Sequence, residues 1–436
     1  MARKNKELSA DSLPLVAIDL GSDGVRAMAA KKVGDDLFHI LGVEQSHKYP
    51  SIEKGVVTQT SNAGYMISEV LRLLANRIKI ENLPTAFVSV GGKSMHIVHV
   101  MSKRDQIHAH PVSQQLLQAM ERECKNKLET KHPELVVLGL IPAYFVLDGV
   151  EQEQSPADDQ PAVMVEAHYI AFYARKEVKQ QLQKSFDQAG RSIEQSFVRP
   201  EALLQAFVLN DGAQVLQDGC AVLDFGAQTT TLTIFKHTTY LFNQVVPLGG
   251  YNITRAIAQE GVSDATAEQL KCQFGFAAPA MVERNLTISV GSDPTKKKTF
   301  TSASLAGIIE QKLEEILAPL LPELAKFENR LETLYITGGG SMLGGLVEYL
   351  QQRTALRVTY GAHAGVLDST THPDFCKPVY SSLVGTIILG SDYRSEHKGA
   401  PVRKPNLLER IKATTIVFFS DEENVYNNES TENIQQ

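Results

Sequence analysis

The chain has 436 residues, a net charge of −7 and four cysteines. That length allows two or more domains with sizeable cores, and the negative balance, without any basic aromatic stripe, argues against nucleic acid as a partner. Cys124, Cys220, Cys272 and Cys376 are scattered, with no C-x-x-C pair and no secretory signal, which predicts reduced thiols rather than a disulfide framework or a zinc site.

No apolar run is long enough to span a bilayer. Residues 1–13 are charged and read as a disordered leader. Leu15–Met28, LVAIDLGSDGVRAM, then reads as an apolar strand, a polar turn and a second strand. Asp19 stands at the strand end, with Gly21 and Ser22 in the turn. Phe38–Val43 continues the sheet. Gly55–Thr60 leads to a helix over Ala63–Ile78, whose Met66, Ile67, Val70, Leu71 and Leu74 recur at helical spacing. Thr85–Val90 is a further strand, broken by Gly91-Gly92.

From there the alternation of strand and helix is interrupted. A strand at Met95–Val100, a helix over Ser113–Glu129, strand-like runs at Leu135–Ile141 and Ala143–Leu147 and an acidic loop at Glu151–Pro161 read as a small inserted α+β subdomain, 85–161. His96, His99, His108 and His110 fall in it without a carboxylate or cysteine at metal-binding spacing, and read as exposed strand and loop histidines. Ala162–Tyr173 is expected to resume the main sheet. Lys176–Ala189 reads as a surface helix, and Arg199-Pro200-Glu201 opens an apolar helix through Leu209.

The opening pattern then returns. Cys220–Lys236, CAVLDFGAQTTTLTIFK, has an apolar strand, Asp224-Phe225-Gly226, a polar corner with Thr229 and Thr230, and an alternating strand. One such hairpin is ordinary turn chemistry. Two, one opening each half of the chain, are an internal duplication. Each corner gathers a carboxylate, open backbone N–H groups and hydroxyls. Such a corner can cradle a phosphate while the carboxylate faces its magnesium, usually through water.

Leu241–Pro247 adds a strand, and Gly249-Gly250 turns into a helix over Asn252–Glu260. In the helix Ala265–Phe274, Glu268 and Lys271 stand one turn apart. They form either an intrahelical ion pair or a clasp for a nucleoside. Leu286–Val290 reads as a strand, Lys296–Lys298 as an exposed basic loop, and Ser304–Leu321 as an amphipathic helix. The strand Leu334–Thr337 runs into Gly338, Gly339, Gly340 and Ser341, bare backbone that a flat ligand or phosphate can approach ahead of the helix Leu346–Thr354. Val379–Leu389 is the last helix of the globular part. In the tail, Lys404–Phe419 places Leu407, Leu408 and Ile411 on one helical face beside Arg410 and Lys412. That segment reads either as an amphipathic element lying in a membrane interface or as a docked terminal helix or strand. Asp421–Gln436 is acidic and Asn-rich, and is expected to be disordered.

Two Asp-Gly hairpins, an E-x-x-K helix and an I-T-G-G-G-S strand-turn resemble the actin/Hsp70/hexokinase ATPase superfamily. The fold class implied is α/β, a duplicated actin-like (ribonuclease H-like) fold with an inserted small α+β subdomain. Within that superfamily, Leu15 to about Ser391 resembles FtsA, the actin-like bacterial cell-division protein. Lys54-Gly55-Val56-Val57 resembles its KGVV turn, and Pro247-Leu248-Gly249-Gly250-Tyr251-Asn252-Ile253-Thr254 its P-x-G-G-x-x-I-T turn. The insertion, with Ile141–Gly149, stands where FtsA carries its own small subdomain. The resemblance implies a first actin-like subdomain from 14–84 and 162–200 and a second from 201–236 and 302–395. It also implies a small subdomain over the nucleotide at 237–301, and a linker, candidate membrane-binding segment and acidic tail at 396–436.

The same resemblance implies ATP and Mg2+ between the halves. Asp19, Gly21, Ser22, Asp224, Gly226, Thr229 and Thr230 would hold phosphate and metal, with Asp19 and Asp224 as the metal carboxylates. Glu268 and Lys271 would flank the adenosine, with Gly338, Gly339, Gly340 and Ser341 beneath it. FtsA-like proteins assemble into filaments, bind the C-terminal tail of the tubulin-like FtsZ, and tether it to the inner membrane by a C-terminal amphipathic segment. The implied role is a membrane anchor for the division ring on the cytoplasmic side, not a metabolic enzyme. A pilus-assembly actin homologue shares the hairpins and the insertion and is the alternative. A small-molecule kinase of the superfamily needs a carboxylate base beside the acceptor hydroxyl, and the cleft elements offer none.

The chain also departs from the FtsA pattern. Ala227-Gln228 replace two glycines of D-x-G-G-G-T-T. Arg199-Pro200 stands where relatives carry a Glu-Pro that helps orient the attacking water, and Gln59 where an aspartate is common. Ser302-Ala303-Ser304 lacks the basic residues that relatives present to the tail of the ring protein, a role left to Lys296–Lys298. Together these predict nucleotide binding with feeble or absent hydrolysis.

Overall fold

The apolar run Leu15–Gly21 is the central strand of a five-stranded sheet, buried along almost its whole length. A strand covered on both faces needs no polar alternation, which is why it reads as continuous hydrophobicity. It pairs antiparallel with Gly24–Lys32, which pairs antiparallel with Phe38–Gln45. On its other side lie Ala86–Val90 and then Ile193–Val198, both parallel. The computed structural model describes residues 13–152, 156, 160–212, 214–237, 239–291 and 297–397. Residues 1–12 of the leader, Lys296, and the tail with Leu407, Leu408, Arg410, Ile411 and Lys412 lie outside the described residues.

A second five-stranded sheet repeats the arrangement strand for strand. Its centre is Cys220–Phe225, antiparallel to Thr230–Lys236, which is antiparallel to Thr239–Val246. The parallel side is Thr333–Thr337 and then Arg357–Tyr360. Asp19 and Asp224 occupy equivalent places. Asp19 pairs across to Arg26 and Ser89, and Asp224 to Thr231 and Thr337. The duplication expected from the sequence is thus present in the strand order itself.

Each half sends its last helix to the other half. Helix Ser381–His397 follows the second sheet, yet its Leu383, Val384, Ile387 and Ile388 pack with Ala17, Met28 and Phe87 of the first. Helix Arg199–Asp211 follows the first sheet, and its Phe207 stacks on Tyr335 of the second at 5.2 Å. The two helices cross at Gly385, where an added Cβ would lie 1.7 Å from the Ala202 carbonyl oxygen. A glycine is required there by space, not by backbone angle.

His96–Tyr173 is a separate compact unit. Its four-stranded sheet runs in the order His96–Pro111, Pro161–Arg175, Leu135–Leu147, Val150–Gln152. Helix Gln114–Lys131 brings Leu117, Met120 and Cys124 into a core with Phe145, Val165 and Tyr169. Two sequence expectations are corrected here. Ala86–Val90 belongs to the first main sheet, and Pro161–Arg175 pairs with His96–Pro111 instead of resuming that sheet. The insertion therefore covers 96–173, not 85–161. An apolar run carries no record of which sheet receives it, because pairing partners are distant in sequence. Leu135–Leu147 is also one strand through Pro142 rather than two runs. Of the histidines, His99 lies 3.2 Å from His168 Nδ1, and burial pushes the pKa of both rings down. No cluster of metal-ligating side chains occurs among the described residues.

Replacing Gly385 by Ala is expected to lower the thermal unfolding midpoint, with an overpacking cost of about 1–3 kcal/mol. Gly307 lies in helix Ser302–Leu317 with only ordinary contact at an added Cβ. Gly307→Ala should therefore raise the midpoint, by about 0.5–1 kcal/mol of helix propensity. Glu201, in the first turn of helix Arg199–Asp211, has its pKa pushed up to about 7 by burial. Its neutral form is favoured in the folded chain, so stability is present at low pH and is lost as pH rises through about 7. Thermal denaturation of Glu201→Gln should show a gain over the parent at pH 8 that shrinks steadily towards pH 4.5.

Candidate functional site

In sheets of this kind, ligands are received at the carboxyl ends of the parallel strands, where connections diverge to either side. Here the ends of Leu15–Gly21 and Cys220–Phe225 open onto one cavity of about 320 Å³. Asp19, Gly21, Ser22, Asp224, Gly226, Thr229, Glu268, Lys271, Gly338, Gly339 and Gly340 all line it. The two acidic corners therefore share a crevice instead of facing opposite surfaces. Thr230 and Ser341 do not line it. The Thr230 hydroxyl donates to the Leu248 carbonyl at 2.9 Å, and the Ser341 hydroxyl to the Gly338 carbonyl at 2.7 Å. Both hydroxyls hold turns that shape the cavity.

The second corner is a braced one. Gly226 N–H donates to Thr229 O at 2.8 Å, so it closes the turn and is not an open donor to a ligand. Gly250 N–H and Tyr251 N–H in turn donate to the Gly226 and Ala227 carbonyls, at 3.0 and 2.7 Å. Close approach of these two turns needs Gly249, whose added Cβ would meet the Gly226 oxygen at 2.5 Å. Gln228 reaches across the cavity: its Oε1 accepts from Lys54 N–H at 2.9 Å. Gly55 N–H beside it donates to the Ser22 hydroxyl at 3.4 Å. The Lys54-Gly55 turn of the first half is thus tied to both corners.

The floor is built by glycine. Gly338 sits at φ +83, and an added Cβ would lie 2.6 Å from Asp224 Oδ1. At Gly340 the same atom would strike the Phe225 ring at 2.7 Å. Lys271 Nζ donates to Glu268 at 2.7 Å, to Thr254 at 2.9 Å and to the Gly250 carbonyl at 3.1 Å. The ion pair expected from the sequence forms, and both its members also face the cavity. Burial alone would raise the Glu268 pKa, but the bonds from Lys271 and Thr254 outweigh it and hold the pKa below the usual range.

Between the two aspartates lies Arg199. Its Nη2 donates to Asp19 Oδ1, and its Nη1 stands 3.7 Å from Asp224 Oδ2. Asp19 is only 6% exposed. Arg199 Nε is buried with no hydrogen-bond partner among the described residues. Burial works against the charge on Arg199, but the two carboxylates outweigh it and raise the pKa further. Asp224 is pushed up by burial, opposed by Arg199 and aided by the charge of Asp19. A magnesium ion on Asp19 and Asp224 does not fit this arrangement. Both carboxylates already face a guanidinium that cannot lose its proton, and its fixed positive charge opposes a divalent ion held between them. Neither Glu201 nor Gln59 lines the cavity.

Sequence reading missed Arg26 and Lys48, which line the cavity beside Asp23. Lys48 lies 3.3 Å from Asp23 and 5.2 Å from the centre of the Tyr251 ring. Arg26 stands in the returning strand of the first hairpin, opposite Asp19, and Lys48 in the loop after Phe38–Gln45, so spacing in the sequence does not mark either as a cavity residue. Met342, Leu343 and Val379 add an apolar wall. Cations, a glycine floor that any side chain would fill, and an apolar wall together suit a phosphorylated ligand with a flat ring.

Comparison with known proteins shows what this chain is similar to. The sequence model of the family described as "Cell division protein FtsA" matches residues 221–385. The cell-division protein FtsA of Bacillus subtilis is 26% identical over 387 residues, covering 85% of this chain and 82% of that protein. Among solved structures, a PilM–PilN type IV pilus biogenesis complex matches with a TM-score of 0.61 at 18% identity, covering 86% of this chain and 98% of that one. MreB5 of Spiroplasma citri bound to ADP matches with a TM-score of 0.53 at 12% identity, covering 89% and 100%. At such identities the structural likenesses show the fold alone. The similarity to FtsA cell-division proteins extends over most of the chain, and the fold it shares with these solved structures is actin-like.

Proposed function

We propose that this chain is an ATP-binding, actin-like cell-division protein that anchors the FtsZ ring to the cytoplasmic membrane. The observation that carries the reading is the closure of two duplicated Asp-Gly corners, with a glycine floor, over one cavity in a relative of FtsA. Asp19, Gly21, Ser22, Asp224, Gly226 and Thr229 form the phosphate end in this reading. Glu268 and Lys271 flank the nucleoside, above Gly338, Gly339 and Gly340. MreB5, a neighbour in fold, is seen with ADP bound, which supports a nucleotide in this cleft.

The polymer, the FtsZ tail and the membrane surface follow from kinship with FtsA. The basic amphipathic stretch Lys404–Phe419, with Leu407, Leu408, Arg410, Ile411 and Lys412, is the proposed anchor. Hydrolysis is expected to be feeble or absent. Arg199 takes the place of an acid that would orient water, and Glu201 lies off the cavity.

Deleting 404–419 from the full chain should abolish co-sedimentation with vesicles containing anionic lipid, and undiminished pelleting would remove the anchor. A synthetic peptide of the FtsZ C-terminal tail should bind the full chain in fluorescence anisotropy; failure to bind would leave the protein without its proposed partner. Gln228→Gly removes the side chain that ties the second corner to Lys54 N–H. Stopped-flow release of a fluorescent ATP analogue should become several-fold faster in that variant. Unchanged release would mean that the bridge does not gate the cleft.

A further inference from the structure

The two aspartates at the corners come from separate halves of the chain, and a carboxylate pair facing one crevice needs a cation. The usual answer for a phosphate site is a hydrated divalent metal. This chain supplies the cation covalently. Arg199 opens helix Arg199–Asp211, directly after the last strand of the first sheet. Its guanidinium is hydrogen-bonded to Asp19 and 3.7 Å from Asp224. The side chain is about a fifth exposed and lines the cavity. Gly91 packs against it, with an added Cβ 3.2 Å from Arg199 Cβ, so the arginine is held from behind as well as in front.

We infer that Arg199 is the resident cation of this cleft, taking the place of a divalent metal between Asp19 and Asp224, and that the cleft receives the phosphates of a nucleotide without metal. The inference rests on the nucleotide reading above and goes beyond it in the form of ligand expected: the free polyphosphate anion, not its magnesium complex. The charged side chains lining the cavity leave no carboxylate without a cation of the chain's own. Asp19, Asp23, Asp224 and Glu268 are matched one for one by Arg26, Lys48, Arg199 and Lys271. A guanidinium offers five N–H donors in a fixed fork. It can therefore span two carboxylates and still present donors to phosphate oxygens. A permanently charged arginine also needs no free metal, so occupancy of the cleft would follow nucleotide concentration alone.

Two measurements on the full-length protein test this. In the first, ATP is titrated calorimetrically in excess magnesium chloride and again in EDTA. The parent should bind with affinities within about threefold of each other, whereas Arg199→Glu should need magnesium by at least about tenfold. Arg199→Lys, which keeps a cation, should restore metal-free binding. Parent binding that collapses in EDTA would overturn the inference while leaving the nucleotide reading intact.

The second measurement uses no nucleotide: thermal unfolding with and without magnesium chloride. The parent should show no stabilisation, while Arg199→Gln, which frees the aspartates, and Arg199→Glu, which adds a third carboxylate, should both be stabilised. Stabilisation of the parent by magnesium would overturn the inference. If ATP bound none of the proteins in either buffer, the nucleotide reading would fall, and this second arm would still decide the place of Arg199.

Discussion

The structure depends on one electrostatic constraint, the meeting of Asp19 and Asp224 across a single crevice. Each is fixed by its own sheet, so neither can retreat without breaking strand register. Two carboxylates facing one crevice repel, and the less water lies between them the stronger that repulsion is. Arg199 answers that repulsion from within the chain, and the whole cleft is arranged about it. Removal of one member of such a cluster leaves the others buried and unbalanced, which is why the three residues have to be considered together.

What brings the aspartates together is the reciprocal exchange of helices. The helix leaving each sheet lies on the other sheet, and the two cross at Gly385 and Ala202. The halves are therefore linked by buried side chains such as Ile387 and Phe207, not by the cleft alone. The cleft adds a lighter set of ties, in which Gln228 and Ser22 meet the Lys54-Gly55 turn. Strong ties at the base and single hydrogen bonds at the mouth are the distribution expected of a cavity that admits and releases a ligand, because regions with few buried contacts open at low free energy.

Much of this is legible in the sequence. The Asp-x-Gly hairpins, their duplication and the glycine run at Gly338–Gly340 each have a local cause: a buried strand, a tight turn and a backbone too crowded for a Cβ. The insertion was legible as an interruption, but its limits were not. Ala86–Val90 and Pro161–Arg175 are both apolar strands, and only hydrogen-bond partners distant in the chain assign one to the main sheet and the other to the insertion. The open donors expected at the second corner were also misplaced. Gly226 N–H is consumed by its own turn, and the turn at Gly249-Gly250 takes the neighbouring carbonyls.

The sequence by itself determined the repeat, the placement of each acid at a strand end, the glycine floor and the resemblance to FtsA, because these reside in contiguous residues whose local chemistry admits few conformations. It also marked Arg199 as a departure, but as a missing acid rather than a supplied base. Tertiary structure alone decided that this arginine lies between Asp19 and Asp224, that Arg26 and Lys48 join the same cavity, and that Thr230 and Ser341 turn away from it. The physical reason is that a charge acts through space, and residues 180 and 205 positions apart acquire a common field only when two sheets and their exchanged helices set them side by side.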